Sequence, residues 1–431
     1  MSCLNVWIDQ KLVGEWQLSP QRVQSFRYDS SWRNSAQVCP LSLSLPVTSE
    51  NDARGPAVES YFANLLPGRA DKRRQLQVLF GADSEHPFAL LAAIGRDCSG
   101  AAQILPPNVD PAPLLRSEGR DIASDEVGEM LQKISDAGMG VLFNNEPVCA
   151  SLAGAQEKST LHLEEIHWRV PTGITSATHI LKPTIGFLPN GIDLSKSVEN
   201  EHLCMRLTAA LGIPAANTSM KTFGLTRTLI VERFDRRWTK DKRLLRLPQE
   251  DLCQALGIPP ARKYQSEGGP GIRDVLAFLK ASDDPQADRR MFMKAQIVFW
   301  LLGATDGHAK NFSIFLYPGG GFRLTPLYDV MSLQPVYAAN QIKRNRMKLA
   351  MSVGEQRHYV LDTIQPRHFV QSAQSAAMPV SEVEVLFGEI ANAGPLVLEE
   401  LRSSDELPSQ IRRSIREGFE ARLKLLESHG T

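Results

Sequence analysis

The chain lacks paired cysteines. Its six cysteines (Cys3, Cys39, Cys98, Cys149, Cys204 and Cys253) are scattered and include no CxxC pair, which argues against a disulfide framework or a thiolate metal knuckle. It also lacks net charge: 48 Lys and Arg balance 48 Asp and Glu, so nothing global points to nucleic acid or to a membrane surface. Long apolar runs are missing as well. The longest, residues 295–304, is broken by Gln296 and Gly303 and is too short to span a bilayer. No leader pattern, internal repeat or low-complexity tract is read. These absences lead to the expectation of a cytoplasmic protein with reduced thiols and no membrane contact.

What is present is ordinary globular composition, with 42% hydrophobic and 22% charged residues over 431 positions. That length predicts two or three domains with ample core. Residues 4–8 and 12–18 alternate around a short turn and predict a hairpin. Residues 41–46 alternate Leu and Ser up to Pro46 and predict another strand. Short helices are predicted over 60–66, 69–80 and 89–94, with a glycine-bearing turn after the last. The proline-rich stretch 106–116 reads as a linker into a helix ending near Ala137. Strand-like runs then cover 160–168, 178–182 and 228–234, and the chain beyond Pro248 reads as mostly helical with one hairpin. The basic runs 233–246 and 343–348 are read as solvated faces.

The most informative stretch is Ala304-Thr305-Asp306-Gly307-His308-Ala309-Lys310-Asn311, with Tyr328-Asp329 following eighteen residues after Asn311. An Asp five residues before an Asn, and a later Asp, is the set that phosphoryl transfer requires. One carboxylate orients a hydroxyl nucleophile, while an amide oxygen and a second carboxylate hold a metal. Residues 289–302, apolar nearly all round, predict a buried helix that makes a rigid platform for this loop. A hairpin around the turn Pro318-Gly319-Gly320-Gly321 then brings Asp329 back beside Asn311. On this reading Asp306 is the base, Asn311 and Asp329 ligate Mg²⁺, and His308 and Lys310 lie within reach of phosphate oxygens. Residue by residue, a turn at Asp306-Gly307, a cap at Asn311 and a strand end at Asp329 account for the same letters.

Upstream, His179-Ile180-Leu181-Lys182 is a short strand ending in a lysine, the placement of the kinase lysine that pairs with α- and β-phosphates. A helix over 198–211, capped by Ser197, carries Glu199 and Glu201, either of which is a candidate partner for Lys182. Ser151-Leu152-Ala153-Gly154-Ala155-Gln156-Glu157-Lys158 stands where a glycine-rich phosphate loop belongs. It has one glycine and small alanines, with Lys158 to supply charge, and is equally readable as an ordinary turn. Residues 229–236, an apolar strand running into charge, suit an adenine-binding hinge.

Together these segments resemble the HipA family, the serine/threonine-kinase toxins of bacterial HipA–HipB toxin–antitoxin pairs. The resemblance is carried by residues 62–67, 95–100, 151–158, 179–182, 231–235, Arg246-Leu247-Pro248-Gln249-Glu250-Asp251, Gly268-Gly269-Pro270-Gly271, 304–311 and 324–329, in the family's order over nearly the whole chain. It implies an α+β, distant protein-kinase-like fold, with a strand-rich N-terminal subdomain (1–138) and a mostly helical C-terminal subdomain (139–431). It implies ATP and Mg²⁺ as cofactors and Asp306 as the catalytic residue, with Asn311 and Asp329 at the metal. Lys182, Glu232 and Phe234 would contact the nucleotide, with Lys158, Asp235, Gln249 and His308 at further contacting positions.

Ser151 matches the family's autophosphorylated serine. A phosphate there adds about two negative charges beside an anionic ATP site and should repel the loop, switching the kinase off. The resemblance further implies a protein substrate such as an aminoacyl-tRNA synthetase, stalled translation and dormancy. It also implies a HipB-type helix-turn-helix antitoxin dimer as partner, with operator DNA engaged mainly through that partner. A catalytically weak corepressor acting with such a partner is the alternative, and a small-molecule kinase a more distant one.

Overall fold

The computed structural model describes residues 2–48, 52–109, 111, 119–137, 142–143, 146–147, 156–172 and 175–429. Two compact units interleave along the chain. The first comprises Met1–Pro183, Lys221–Ala261 and Ser313–Phe322, the second Thr184–Met220, Arg262–Phe312 and Arg323–Thr431. The fold class is α+β, as the sequence predicts.

In the first unit the hairpin Ser2–Ile8/Lys11–Leu18 turns at Asp9 and Gln10, both in the left-handed region, which matches the right-handed twist of the strands. It is the centre of an antiparallel five-stranded sheet in the order Asp52–Arg54, Gln24–Tyr28, Lys11–Leu18, Ser2–Ile8, Gln103–Leu105. Alternate side chains (Leu4, Val6, Ile8, Trp16, Phe26) face a core shared with Phe62 and Leu66, and with Leu90 and Leu91 of the helix Pro87–Ile94. The Trp16 and Phe62 rings stack at 3.7 Å.

A second sheet, of six strands, runs Thr218–Phe223, Thr226–Glu232, His179–Pro183, Ser159–Glu164, His167–Pro171, Gly119–Asp121. The amphipathic helix Ser124–Ala137 covers it with Val127, Met130, Leu131 and Ile134 against Leu161, Trp168, Leu181 and Phe223. Gly128 has to be glycine here, because a Cβ would lie 2.5 Å from the Phe223 carbonyl oxygen.

The second unit is built on the helix Pro285–Leu302. Asp284 caps it by accepting from the Ala287 amide, Pro285 opens it, and Gly303 closes it in the left-handed region at φ 67°. Every residue from Ala295 to Leu302 is buried, as a helix apolar all round requires. Its C-terminal carbonyls are claimed from outside: Arg422 donates Nε and Nη2 to the Leu301 oxygen, at 3.1 and 2.9 Å. Among the described residues no helix is long and apolar enough to cross a membrane.

Four local expectations are corrected. Residues 41–46 form a turn closed by a single Ser42–Leu45 bridge, not a strand, because Ser42 and Ser44 both donate to the Gln254 carbonyl. Residues 160–168 are two strands, reversed at Glu165 with φ 56°. The helix Ser197–Ala210 is capped at Lys196 without a side-chain bond; Ser197 lies inside it, and its hydroxyl accepts from the Ile185 amide. In the basic run 233–246, Arg237, Lys240, Lys242 and Arg243 are exposed, but Arg233, Arg236 and Arg246 are buried among carboxylates.

Candidate active site

The candidate residues divide between the two units. The second unit holds Asp306, His308, Lys310, Asn311 and Asp329. Gly303 releases the buried helix into the loop, and the loop then packs back on that helix. Gly307 lies so close to Phe299 that a Cβ would sit 2.4 Å from the ring. Asn311 is 5% exposed, and its Nδ2 donates to the Asp306 carbonyl at 2.8 Å, closing the Asp-to-Asn step into a ring. With the amide nitrogen committed, Oδ1 is the atom able to face a cation.

The Asp306 side chain is 60% exposed. Its Oδ1 accepts from the Tyr264 hydroxyl at 2.5 Å, and its Oδ2 lies 3.8 Å from His308 Nε2. The carboxyl is held above its ordinary value, chiefly by the protein crowded around it. The Tyr264 bond and Lys263 oppose that shift, and Asp329 adds to it. Burial pushes His308 down to about 3, so its imidazole is neutral at pH 7 and can offer a hydrogen bond but not a charge.

Asp329 sits at φ 60°, in the left-handed region, which Asp tolerates better than most residues with a side chain. The preceding Tyr328 donates its hydroxyl to the Lys310 carbonyl at 2.9 Å, which fixes the Asp329 segment to the loop. Asn311 and Asp329 offer hard oxygen donors. Among the described residues no group of three His, Cys, Asp or Glu forms a protein-only cage. That donor set fits Mg²⁺, which takes one or two protein oxygens and completes its shell with water and phosphate.

The first unit holds Lys158, Lys182, Glu232, Phe234, Asp235 and Gln249. Ser159 pairs with Leu181, so Lys158 and Lys182 are the next residues outward on two antiparallel segments; both are buried. Gln156 Nε2 donates to the Pro183 carbonyl at 3.2 Å and holds this approach together. Glu232 is exposed at the strand end opposite His179, and the Phe234 ring meets Phe315 edge-on at 5.9 Å. Asp235 Oδ2 accepts from the Gly100 amide at 2.7 Å. Gly100, at φ 76°, presses on the Gln249 backbone, where a Cβ would meet the Gln249 oxygen at 2.5 Å. Ser151, Ala153, Gly154 and Ala155 lie outside the described residues.

Two features escaped the sequence reading. Lys263 and Tyr264 border the loop: the Ala309 amide donates to the Lys263 carbonyl at 3.2 Å, and the Tyr264 ring meets His308 edge-on at 4.9 Å. Only the neighbouring glycine cluster 268–271 marked that region. The other is a buried ion cluster in which Asp97 and Asp235 face Arg233 and Arg236, with Arg246 Nε 3.7 Å from Asp97.

Comparison with known proteins gives concordant matches. A family model described as the HipA-like C-terminal domain matches residues 150–396, and one for the HipA N-terminal domain matches residues 4–105. A Sinorhizobium fredii protein named as a kinase is 37% identical over 76% of this chain and 77% of its own length. The serine/threonine-protein kinase toxin HipA of Shewanella oneidensis is 31% identical over 71% of this chain and 69% of its own. The solved Shewanella oneidensis HipA, from a complex with HipB and operator DNA, superposes with a TM-score of 0.81 at 23% identity, covering 99% of both chains.

Proposed function

The chain belongs to the HipA family, and from that premise we propose that it is an ATP-dependent serine/threonine-protein kinase. The observation that carries the proposal is the closed 306–311 loop. It presents an open carboxylate at Asp306 and commits the Asn311 amide nitrogen, with Asp329 held to the loop through Tyr328. In this reading a substrate hydroxyl donates to Asp306 Oδ2 as its oxygen attacks the γ-phosphorus. The bond to the β–γ bridging oxygen breaks, ADP leaves, and the proton rests on Asp306. Asn311 Oδ1 and Asp329 would hold Mg²⁺, which when bound neutralises charge on the phosphate oxygens. Lys158 and Lys182 supply cationic contacts to phosphates, joined by neutral His308 and by Lys310. Glu232, Phe234, Asp235 and Gln249 would serve the nucleoside end, and Ala153, Gly154 and Ala155 the phosphate loop.

The proposal extends to regulation and partners. Ser151 would be the autophosphorylation site, and a translation-related protein the substrate. A HipB-type helix-turn-helix dimer would neutralise the kinase and bring it to operator DNA. The chain would divide into an N-terminal part, 1–138, and a kinase-like part, 139–431, that carries the nucleotide and Mg²⁺ site.

Peptide mass spectrometry after incubation with Mg·ATP tests the core of the proposal. A phosphate on Ser151 in wild type, absent in Asp306→Asn, is expected. No phosphate anywhere, on folded protein free of prior modification, would replace the kinase reading with that of a corepressor.

A further inference from the structure

Asp329 sits at φ 60°, and the backbone on either side of it is held by a set of hydrogen bonds. On its N-terminal side Leu327 bridges in parallel to Ala215. The Leu327 amide donates to the Pro214 carbonyl at 2.8 Å, and the Ala216 amide donates to the Leu327 carbonyl at 2.8 Å. These partners lie in the exit from the helix Ser197–Ala210. On the C-terminal side, Ser332 is read by one side chain of that same helix. Asn200, 3% exposed, donates Nδ2 to the Ser332 carbonyl at 2.7 Å and accepts from the Ser332 amide at 3.1 Å. Ser332 passes the constraint onward, its hydroxyl donating to the Leu302 carbonyl at 2.6 Å, one residue before Gly303 opens the 306–311 loop. The Leu333 amide adds a bond to the Gly303 carbonyl at 2.9 Å.

We infer that Asn200 is a positioning residue for the metal-binding carboxylate: its two-bond grip on Ser332 fixes Asp329 in register with the 306–311 loop. The inference rests on the proposed metal role of Asp329. Asn200 is suited to the task because an amide offers a donor and an acceptor on one plane, matching the backbone of a single residue as a ladder partner would. No aliphatic side chain satisfies both Ser332 groups, and both are buried. The Cys204 thiol one turn on donates to Asn200 Oδ1 at 3.4 Å and helps fix the amide's orientation. Groups behind a metal ligand commonly shift metal affinity by about 10- to 100-fold.

The test uses the full chain saturated with ADP and titrated with Mn²⁺, the free ion being followed by its paramagnetic resonance signal. Asn200→Ala and Asn200→Asp are compared with Asp329→Ala and with Leu203→Ala, which removes a buried apolar side chain of the same helix and no hydrogen bond. Asn200→Asp keeps the volume and the acceptor but loses the donor, so it serves if Asn200→Ala does not fold. Expected are a Mn²⁺ affinity weakened by about tenfold in the Asn200 variants, near-complete loss in Asp329→Ala and wild-type affinity in Leu203→Ala. A shift under about threefold in the Asn200 variants, with loss in Asp329→Ala, overturns the inference and leaves the metal reading standing. A shift in Leu203→Ala equal to that of Asn200→Ala also overturns it, reducing Asn200 to general stability. Wild-type affinity in Asp329→Ala would bring down the metal reading itself.

Discussion

The Tyr264 hydroxyl donates to Asp306 Oδ1 at 2.5 Å, across 42 residues of sequence. The contact divides the carboxylate: Oδ1 is held by Tyr264, while Oδ2 stays open, the atom to which the proposed mechanism assigns the substrate hydroxyl. The ring behind that hydroxyl is fixed against His308, and the Lys263 carbonyl takes the Ala309 amide, so the segment behaves as a wall of the loop.

Replacing Tyr264 by Phe removes the hydroxyl and keeps the ring. We expect kcat to fall by about tenfold, with the KM for ATP little changed, because the loss affects orientation of the base and not nucleotide binding. The acid limb should also move. A donor to a carboxylate favours the ionised form, so without Tyr264 the Asp306 carboxyl climbs further, and activity is lost at a higher pH than in wild type. Rates of wild type and Tyr264→Phe from pH 5 to 8 decide the matter; superimposable profiles would leave the contact without a catalytic role.

Gly307 gives a second handle on the loop. A methyl group there meets the Phe299 ring at 2.4 Å, and that ring is wedged against Phe312 at 5.8 Å. Gly307→Ala must therefore lift the loop or move a core ring, at a cost of about 1–3 kcal/mol in stability. Displacing the base by even about 1 Å can cost on the order of a hundredfold in rate. Pairing the change with Phe299→Leu makes room for the methyl group and is expected to recover much of the activity. A double mutant no better than Gly307→Ala would show that the clash is not the cause.

These two residues also mark how far the sequence could be read. The spacing of Asp306, Asn311 and Asp329, the all-apolar helix before them and the turn at Gly319 and Gly320 are local patterns, and local patterns survive into the fold. Tyr264 is invisible by that route, because only tertiary packing brings it to Asp306. Residues 41–46 mislead in the opposite way: their Leu/Ser alternation is that of a strand, but the serines bond to Gln254, more than 200 residues away, and curl the chain into a turn. The charges of 233–246 likewise look solvated until Asp97 is placed beside them.

Glu250 supplies a prediction with a definite pH sign. It is fully buried, with Oε1 accepting from the Leu43 amide at 2.8 Å, and burial pushes its carboxyl up to about 8. Between its unfolded value near 4.5 and about 8, the folded chain holds a proton that the unfolded chain releases. Stability from this group is therefore full below the lower value and is lost as pH rises toward the upper one. Glu250→Gln removes the ionisation and keeps the acceptor. It should equal wild type near pH 4.5 and exceed it at pH 8 by on the order of a few kcal/mol. Urea melts of both proteins at the two pH values measure the difference; a gap that does not grow with pH would refute the assignment.

Asp97 makes the opposite case. Its Oδ1 accepts from Arg236 at 2.9 Å and from the Ser176 hydroxyl at 3.0 Å, and its Oδ2 from Arg233 at 3.2 Å and the Ala177 amide at 3.1 Å. Burial alone would raise the carboxyl, but the three guanidiniums around it hold it well below the usual carboxylate range. Asp97→Asn leaves buried arginines short of a counter-charge, and we expect a loss of about 3–5 kcal/mol at pH 7. The native contribution of a depressed carboxyl is present above the unfolded value, near 3.8, and is lost only as pH falls below it. Wild type and variant should thus stay apart at pH 5 and converge only in strong acid. The damage should also reach the nucleotide. Arg233 and Arg236 grip Asp235 and the Cys98 carbonyl, and Asp235 in turn holds the Gly100 amide against Gln249. A raised KM for ATP in Asp97→Asn, with kcat nearly retained at saturation, is the expected signature; an unchanged KM would confine Asp97 to stability alone.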